Sequence, residues 1–156
     1  ICDGGYRRAD QGPGVAAYAW LLHYQNRLVT QEHGVVCRGR FAHSMMAECA
    51  AIVAALRWAV RADLEKGSTV VIHSDCLSMV ESLSARRAHR CRPGGVMLLR
   101  AARSMTARLR RRGMRVEFRH VTRDTVARAD ALCWDAYSHK PVAGEHITGF
   151  LQGRRR

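Results

Sequence analysis

Apolar and polar positions along the chain fall into blocks whose period changes. Val15 to Tyr24 (Val-Ala-Ala-Tyr-Ala-Trp-Leu-Leu-His-Tyr) is an apolar, strand-like run. Gln25-Asn26-Arg27 forms a short polar turn, and Leu28 to Cys37 reads as the returning strand. Gly12, Pro13 and Gly14 break the chain ahead of this pair. Over residues 44–62 the period lengthens. Ala47, Glu48, Ala51, Ile52, Ala55, Leu56 and Ala59 recur at helical spacing, with Ser44 as the expected N-cap and Lys66-Gly67 as the stop. Thr69 to Ser74 is short, β-branched and nearly all apolar, which suits a central strand covered on both faces. A helix over Asp75 to Leu83 follows, with Cys76, Val80 and Leu83 on one side. Pro93-Gly94-Gly95 opens another, reaching Arg112, with Leu98, Ala102, Met105 and Leu109 as its stripe. Arg115 to Val121 alternates, placing Val116, Phe118 and His120 on one face. A last helix is expected from Thr125 to Ser138, and residues 139–156 read as a flexible basic tail.

With the stub at Ile1–Asp3 taken as a strand, the order is β-β-β-α-β-α-α-β-α. An antiparallel meander followed by crossovers predicts an α/β fold, a mixed sheet with helices on its faces. The length of 156 residues suits one domain, here residues 1–138. No apolar run approaches the roughly 18–20 residues of a membrane span. No signal-peptide pattern opens the chain, because Asp3 and Arg7-Arg8 interrupt it. The chain begins at Ile1 rather than Met, as a fragment or a processed product would. Six cysteines form no C-x-x-C pair and lie mostly in apolar stretches. They are expected to be reduced, buried thiols in a cytoplasmic setting rather than zinc ligands or disulfides.

Charge changes the picture more. Lys and Arg number 26 against 13 Asp and Glu, a formal net charge of +13 that favours a polyanionic partner. Only Lys66 and Lys140 are lysine, a bias that a GC-rich genome also produces. From Ser82 through Arg115 there is no acid, but there are eleven arginines. Arg100, Arg103, Arg110 and Arg111 fall away from the apolar stripe of their helix, where they can track phosphates. Neutralising Arg110, Arg111 and Arg112 is then expected to weaken nucleic-acid binding and flatten its salt dependence. Trp20, Trp58 and Trp134 are expected in the core.

Four acids stand where a core should be. Asp3 lies in an apolar stub before Gly4-Gly5, Glu48 heads the stripe of the first helix, Asp75 ends a buried strand, and Asp130 sits among Val126, Ala129, Cys133 and Trp134. Singly, each has an ordinary reading as a turn, a cap or a solvated helix residue. Together, on elements that one sheet would gather, they need a counter-charge. An all-oxygen set favours Mg²⁺ or Mn²⁺ over zinc.

Asp3-Gly4-Gly5, Met46-Ala47-Glu48-Cys49-Ala50-Ala51, His73-Ser74-Asp75 and Ala129-Asp130-Ala131-Leu132, in this order, resemble type 1 ribonuclease H over roughly residues 1–138. The resemblance implies a five-stranded mixed sheet with helices on both faces. It implies that Asp3, Glu48, Asp75 and Asp130 hold two Mg²⁺ ions (or Mn²⁺), with Asp3 bridging them. The implied reaction is hydrolysis of the RNA strand of an RNA–DNA hybrid to 5′-phosphate and 3′-hydroxyl ends; the chain is expected to act as a monomer. His120, ten residues before Asp130, matches the family's histidine and would assist proton transfer or product departure. Gly4, Gly5, Ser44 and Arg123 join the arginines on the nucleic-acid side. The spacing of Arg123 from Asp130 is closer to plant-type and archaeal-type relatives. His43-Ser44-Met45 and Val126 stand where the family often has asparagine. The alternatives are the same domain within a longer protein such as a reverse transcriptase, a catalytically silent nucleic-acid-binding module, and a DNA nuclease of the same fold.

Overall fold

Strand β2 (Gly12–Tyr24) lies between β1 (Cys2–Ala9) and β3 (Arg27–Arg38), antiparallel to both. The structure, a computed structural model, describes residues 1–9, 12–39, 42–84 and 93–138. The β2 run is apolar throughout because both of its faces are covered. Ala16, Tyr18 and Trp20 point into the larger core, while Ala17, Ala19 and Leu21 point into a smaller one. The hairpin to β3 turns on Gln25 and Asn26, with φ of 48° and 60°, as a two-residue turn between twisted strands requires.

Helix α1 (Ser44–Arg61) covers the first face, and eleven of its side chains are buried. Most are alanines, which let the helix approach the sheet closely. Its N-cap is His43 rather than Ser44. The imidazole Nδ1 accepts from the Met46 N–H at 3.1 Å, so the ring does the work expected of a hydroxyl. Its C-cap is Ala62, earlier than the expected stop at Gly67, and Arg112 donates to the carbonyls of Val60 and Ala62 there. Gly67, with φ of 91°, instead turns the chain into β4 (Thr69–Ser74).

Strand β4 pairs in parallel with β5 (Arg115–His120) from Thr69↔Arg115 to Ser74↔His120. Helices α2 (Leu77–Ser84) and α3 (Pro93–Arg111) lie between them in sequence, and α3 packs against α1, α2 and β5. Of the predicted stripe, Leu98, Ala102 and Leu109 are buried, and Met105 is half-buried against the same core. Helix α4 (Arg123–Ser138) covers the opposite face of the meander.

The predicted element order holds, and the α/β fold with helices on both faces is observed. The single five-stranded sheet is not. Hydrogen bonding gives a three-stranded sheet, β1-β2-β3, and a two-stranded one, β4-β5. Strands β1 and β4 approach within 8 Å between Cα atoms without a described ladder. Asp3 and Asp75 meet across that seam, and adjacent like charges oppose strand pairing. Two further expectations change. Strand β1 runs on to Ala9, through both glycines, and pairs Ala9 with Gly12. Trp134 is 54% exposed, whereas Trp20 is 2% exposed and stacks at 48° on Trp58.

Among the described residues Cys2, Cys37, Cys49, Cys76 and Cys133 are thiols outside any disulfide, and no helix is long and apolar enough to cross a membrane. Cys91, the arginines at 86, 87, 90 and 92, and the tail 139–156 lie outside the described residues.

Candidate metal centre

Three elements converge at the seam between the two sheets. Asp3 comes from β1, Asp75 follows the last residue of β4, and Glu48 projects from near the start of α1. One carboxylate oxygen from each lies within 4.8 Å of the other two. The close approach of α1 depends on Gly4. A Cβ there would overlap the Glu48 backbone nitrogen, so only glycine lets the helix lay Glu48 beside Asp3.

The electrostatics follow from this crowding. Asp3 is 5% exposed. Burial first, then the charges of Asp75 and Asp130, push its carboxyl up from 3.8 to about 6, against a hydrogen bond from the Gly4 N–H and the pull of Arg123. Burial, followed by Asp3 and Asp75, pushes Glu48 up from 4.5 to about 9. Glu48 Oε2 and Asp75 Oδ1 are buried without a hydrogen-bond partner among the described residues. Such oxygens are costly in a protein interior unless something positive meets them. A hard divalent cation fits the donor set: all oxygen, closely spaced and net negative.

The other predicted residues take distinct places. Asp130, on α4, is outside the group of three, but its charge bears on Asp3 and its Oδ1 lies 3.9 Å from the Arg123 guanidinium. Arg123 is the cation that acts on both Asp3 and Glu48. His120 ends β5, exposed, with Nε2 3.2 Å from the Asp75 carbonyl oxygen, which fixes the ring next to the cluster. Gly4 is buried against α1, and Gly5 lies beneath Cys133 and Tyr137 of α4, so both are packing positions. Ser44 is exposed at the first position of α1.

The α3 arginines divide into two groups. Arg103 donates to the Ser82 carbonyl at 3.0 Å and Arg110 to that of Val116 at 3.1 Å, so both hold neighbouring elements. Arg100, Arg108 and Arg111 are exposed and make no such bond among the described contacts; Arg110 is exposed too, apart from its bond to β5. None of the α3 arginines is among the charges acting on Asp3 or Glu48.

Sequence reasoning missed the support behind Asp3. Cys133 Sγ donates to the Asp3 carbonyl at 3.6 Å, and burial first, with the charge of Asp3 next, pushes this thiol up to about 12, so it stays protonated. It also missed the pairing of Arg7 with Trp134, at 5.9 Å from the ring centre. Spacing puts Asp130, Cys133, Trp134 and Tyr137 on one helical face, but nothing in the sequence sets Arg7 of β1 against it.

The chain matches the reverse transcriptase-like family over residues 2–136. No curated protein sequence matches it. Among solved structures it is similar to ribonuclease H1 from the halophilic archaeon Halobacterium salinarum. The TM-score is 0.68 at 25% identity, over 87% of this chain and 93% of that one. It is similar to the N-terminal RNase H domain of a Mycobacterium tuberculosis protein, with a TM-score of 0.69 at 24% identity over 86% and 94% of the two chains. A third similar fold is LC11-RNase H1 in complex with an RNA/DNA hybrid, with a TM-score of 0.64 at 18% identity over 86% and 92%.

Proposed function

The chain belongs to the reverse transcriptase-like family, and on that premise we propose that it is a metal-dependent ribonuclease H, hydrolysing the RNA strand of RNA–DNA hybrids. The observation that carries the reading is the meeting of Asp3, Glu48 and Asp75 from three elements, with oxygens left unpaired among the described residues. A module that only bound nucleic acid would gain nothing from holding acids against a phosphate.

In this reading Asp3, Glu48, Asp75 and Asp130 would hold two divalent cations, Mg²⁺ or Mn²⁺. When bound, these supply a water of lowered pKa and stabilise charge on the leaving oxygen. Asp3 would be central to that set, since Glu48 and Asp75 crowd it and Asp130 acts on it from α4. Arg123 offsets part of the negative charge before the cations and the phosphate arrive. His120 presents an imidazole at the edge of the site, able to take or give a proton at the departing product. Ser44 and the exposed α3 arginines Arg100, Arg108 and Arg111 belong to the proposed nucleic-acid side, where they place the duplex without reading sequence, while Gly4, Gly5, Arg103 and Arg110 act through the packing behind it. The products are 5′-phosphate and 3′-hydroxyl ends.

The test is cleavage of a labelled RNA–DNA hybrid in Mg²⁺ by wild type and by Asp75→Asn, with double-stranded DNA and RNA as competitors. Wild type is expected to cut only the RNA strand of the hybrid. Asp75→Asn is expected to bind the hybrid and leave it intact. Equal cleavage by the two proteins would mean the site is wrongly assigned. Wild-type binding without cleavage would favour the silent module.

A further inference from the structure

The seam between β1 and α4 continues past the carboxylates. Asp3, Gly5 and Arg7 share one face of β1 by strand alternation. They run in step with Asp130, Cys133, Trp134 and Tyr137 on α4. Gly5 faces Cys133 and Tyr137, and Arg7 lies 5.9 Å from the Trp134 ring centre. Tyr137 meets the indole edge to face at 5.5 Å. The ring is thus held from two sides yet remains 54% exposed. A rigid, half-exposed indole with a guanidinium against it has the make-up of a surface that receives a flat or apolar group next to an anion.

We propose that Arg7 and Trp134 form a subsite for the nucleic-acid strand flanking the cleaved phosphate. The guanidinium takes a backbone phosphate and the indole packs on the adjoining sugar or base. The proposal rests on the reading of the metal centre as a hybrid nuclease. Distance and charge favour this occupant. Arg7 is four residues from Asp3, about 13 Å along a strand, so a backbone with its reacting phosphate at Asp3 reaches Arg7 a few nucleotides away. Stacking of this kind tolerates any sequence.

The test is steady-state cleavage by wild type, Trp134→Leu, Trp134→Phe and Arg7→Gln on two hybrids. One is long enough to pass over the subsite. The other stops one nucleotide beyond the cut on the side that runs toward Arg7, short of the subsite, and keeps its full length on the other side. Wild-type cleavage of both is the control for the nuclease reading; without it that reading falls, and this one with it. On the long hybrid Trp134→Leu is expected to raise KM about tenfold with kcat little changed, and Trp134→Phe to retain most of the affinity. On the short hybrid the variants are expected to match wild type. Wild-type kinetics in every variant would overturn the subsite alone. An equal loss on both hybrids would overturn it too, by pointing to a general distortion. Unchanged kinetics with a Trp134-dependent shift in solution mass would assign the surface to a protein partner instead.

Discussion

At the scale of the residue, the acids of the centre are held against their own chemistry. Asp3 keeps its proton to about 6 and Glu48 to about 9 because they are buried together. Both values lie above those of the unfolded chain, so the folded state binds more protons across each window. Stability from these groups is then full below 3.8 for Asp3 and 4.5 for Glu48. It is lost as pH rises to about 6 and about 9, respectively. The metal-free protein should therefore melt at progressively lower temperature from pH 5 to pH 9. Glu48→Gln, which cannot ionise, should show a shallower decline, and parallel melting curves would contradict the assignment. Mg²⁺ competes with those protons, so its stabilising effect should grow over the same range and be accompanied by proton release. The four acids were legible in the sequence because each interrupts an apolar pattern. Trp134 was not, because an indole on a helix face looks the same whether the face meets a core or solvent. Only the placement of Arg7 beside it separates the two.

At the scale of the element, two glycines set how helices meet β1. Gly4 and Gly5 read locally as a turn, since glycine weakens a strand. Tertiary contact overrides that preference: the strand continues, and the missing side chains make room for α1 on one face and α4 on the other. Gly4→Ala drives a methyl into the α1 backbone, which cannot yield. It should cost on the order of 1–3 kcal/mol or more and abolish hybrid cleavage by moving Glu48 away from Asp3. Gly5→Ala meets the Tyr137 hydroxyl first and the Cys133 Cβ, at 3.1 Å, next. The hydroxyl is the end of a side chain, so Tyr137→Phe should recover part of the loss at Gly5 and none at Gly4, as read by thermal melting. The end of α1 makes a similar point. Sequence position groups Arg112 with the phosphate-binding arginines, yet it closes the last turn of α1 by donating to Val60 and Ala62. Arg112→Ala should lower the melting temperature by a few degrees, about 1 kcal/mol, and leave the salt dependence of binding unchanged. Helical and strand periods were readable along the chain, but bonds between elements far apart in sequence were not. The same limit applies to the seam between β1 and β4, where a run of residues predicts a strand but not whether its edge is bonded.

At the scale of the whole molecule, the excess of positive charge is not one surface. Arg103, Arg110 and Arg112 are engaged with backbone carbonyls, and Arg123 serves the acids. What remains on α3 is more selective than the count of arginines suggests. Arg100, Arg108 and Arg111 are spaced eight and three residues apart, so they fall on one exposed helical face spanning about 16 Å. A line of fixed positive charges of that length suits a duplex backbone, and it lies on a helix that contributes nothing to the carboxylate cluster. Binding and chemistry should then separate. Replacing Arg100, Arg108 and Arg111 together by Gln should reduce the slope of log affinity against log salt by about 0.9 for each phosphate no longer neutralised. It should raise KM and leave kcat at saturating hybrid near wild type, because no charge on α3 bears on Asp3 or Glu48. The matching replacement of Arg103 and Arg110 should instead lower stability without changing the slope. If the two sets of variants behaved the other way round, the duplex would have to be placed on a different face, and the division of the arginines into structural clamps and phosphate-facing groups would be wrong.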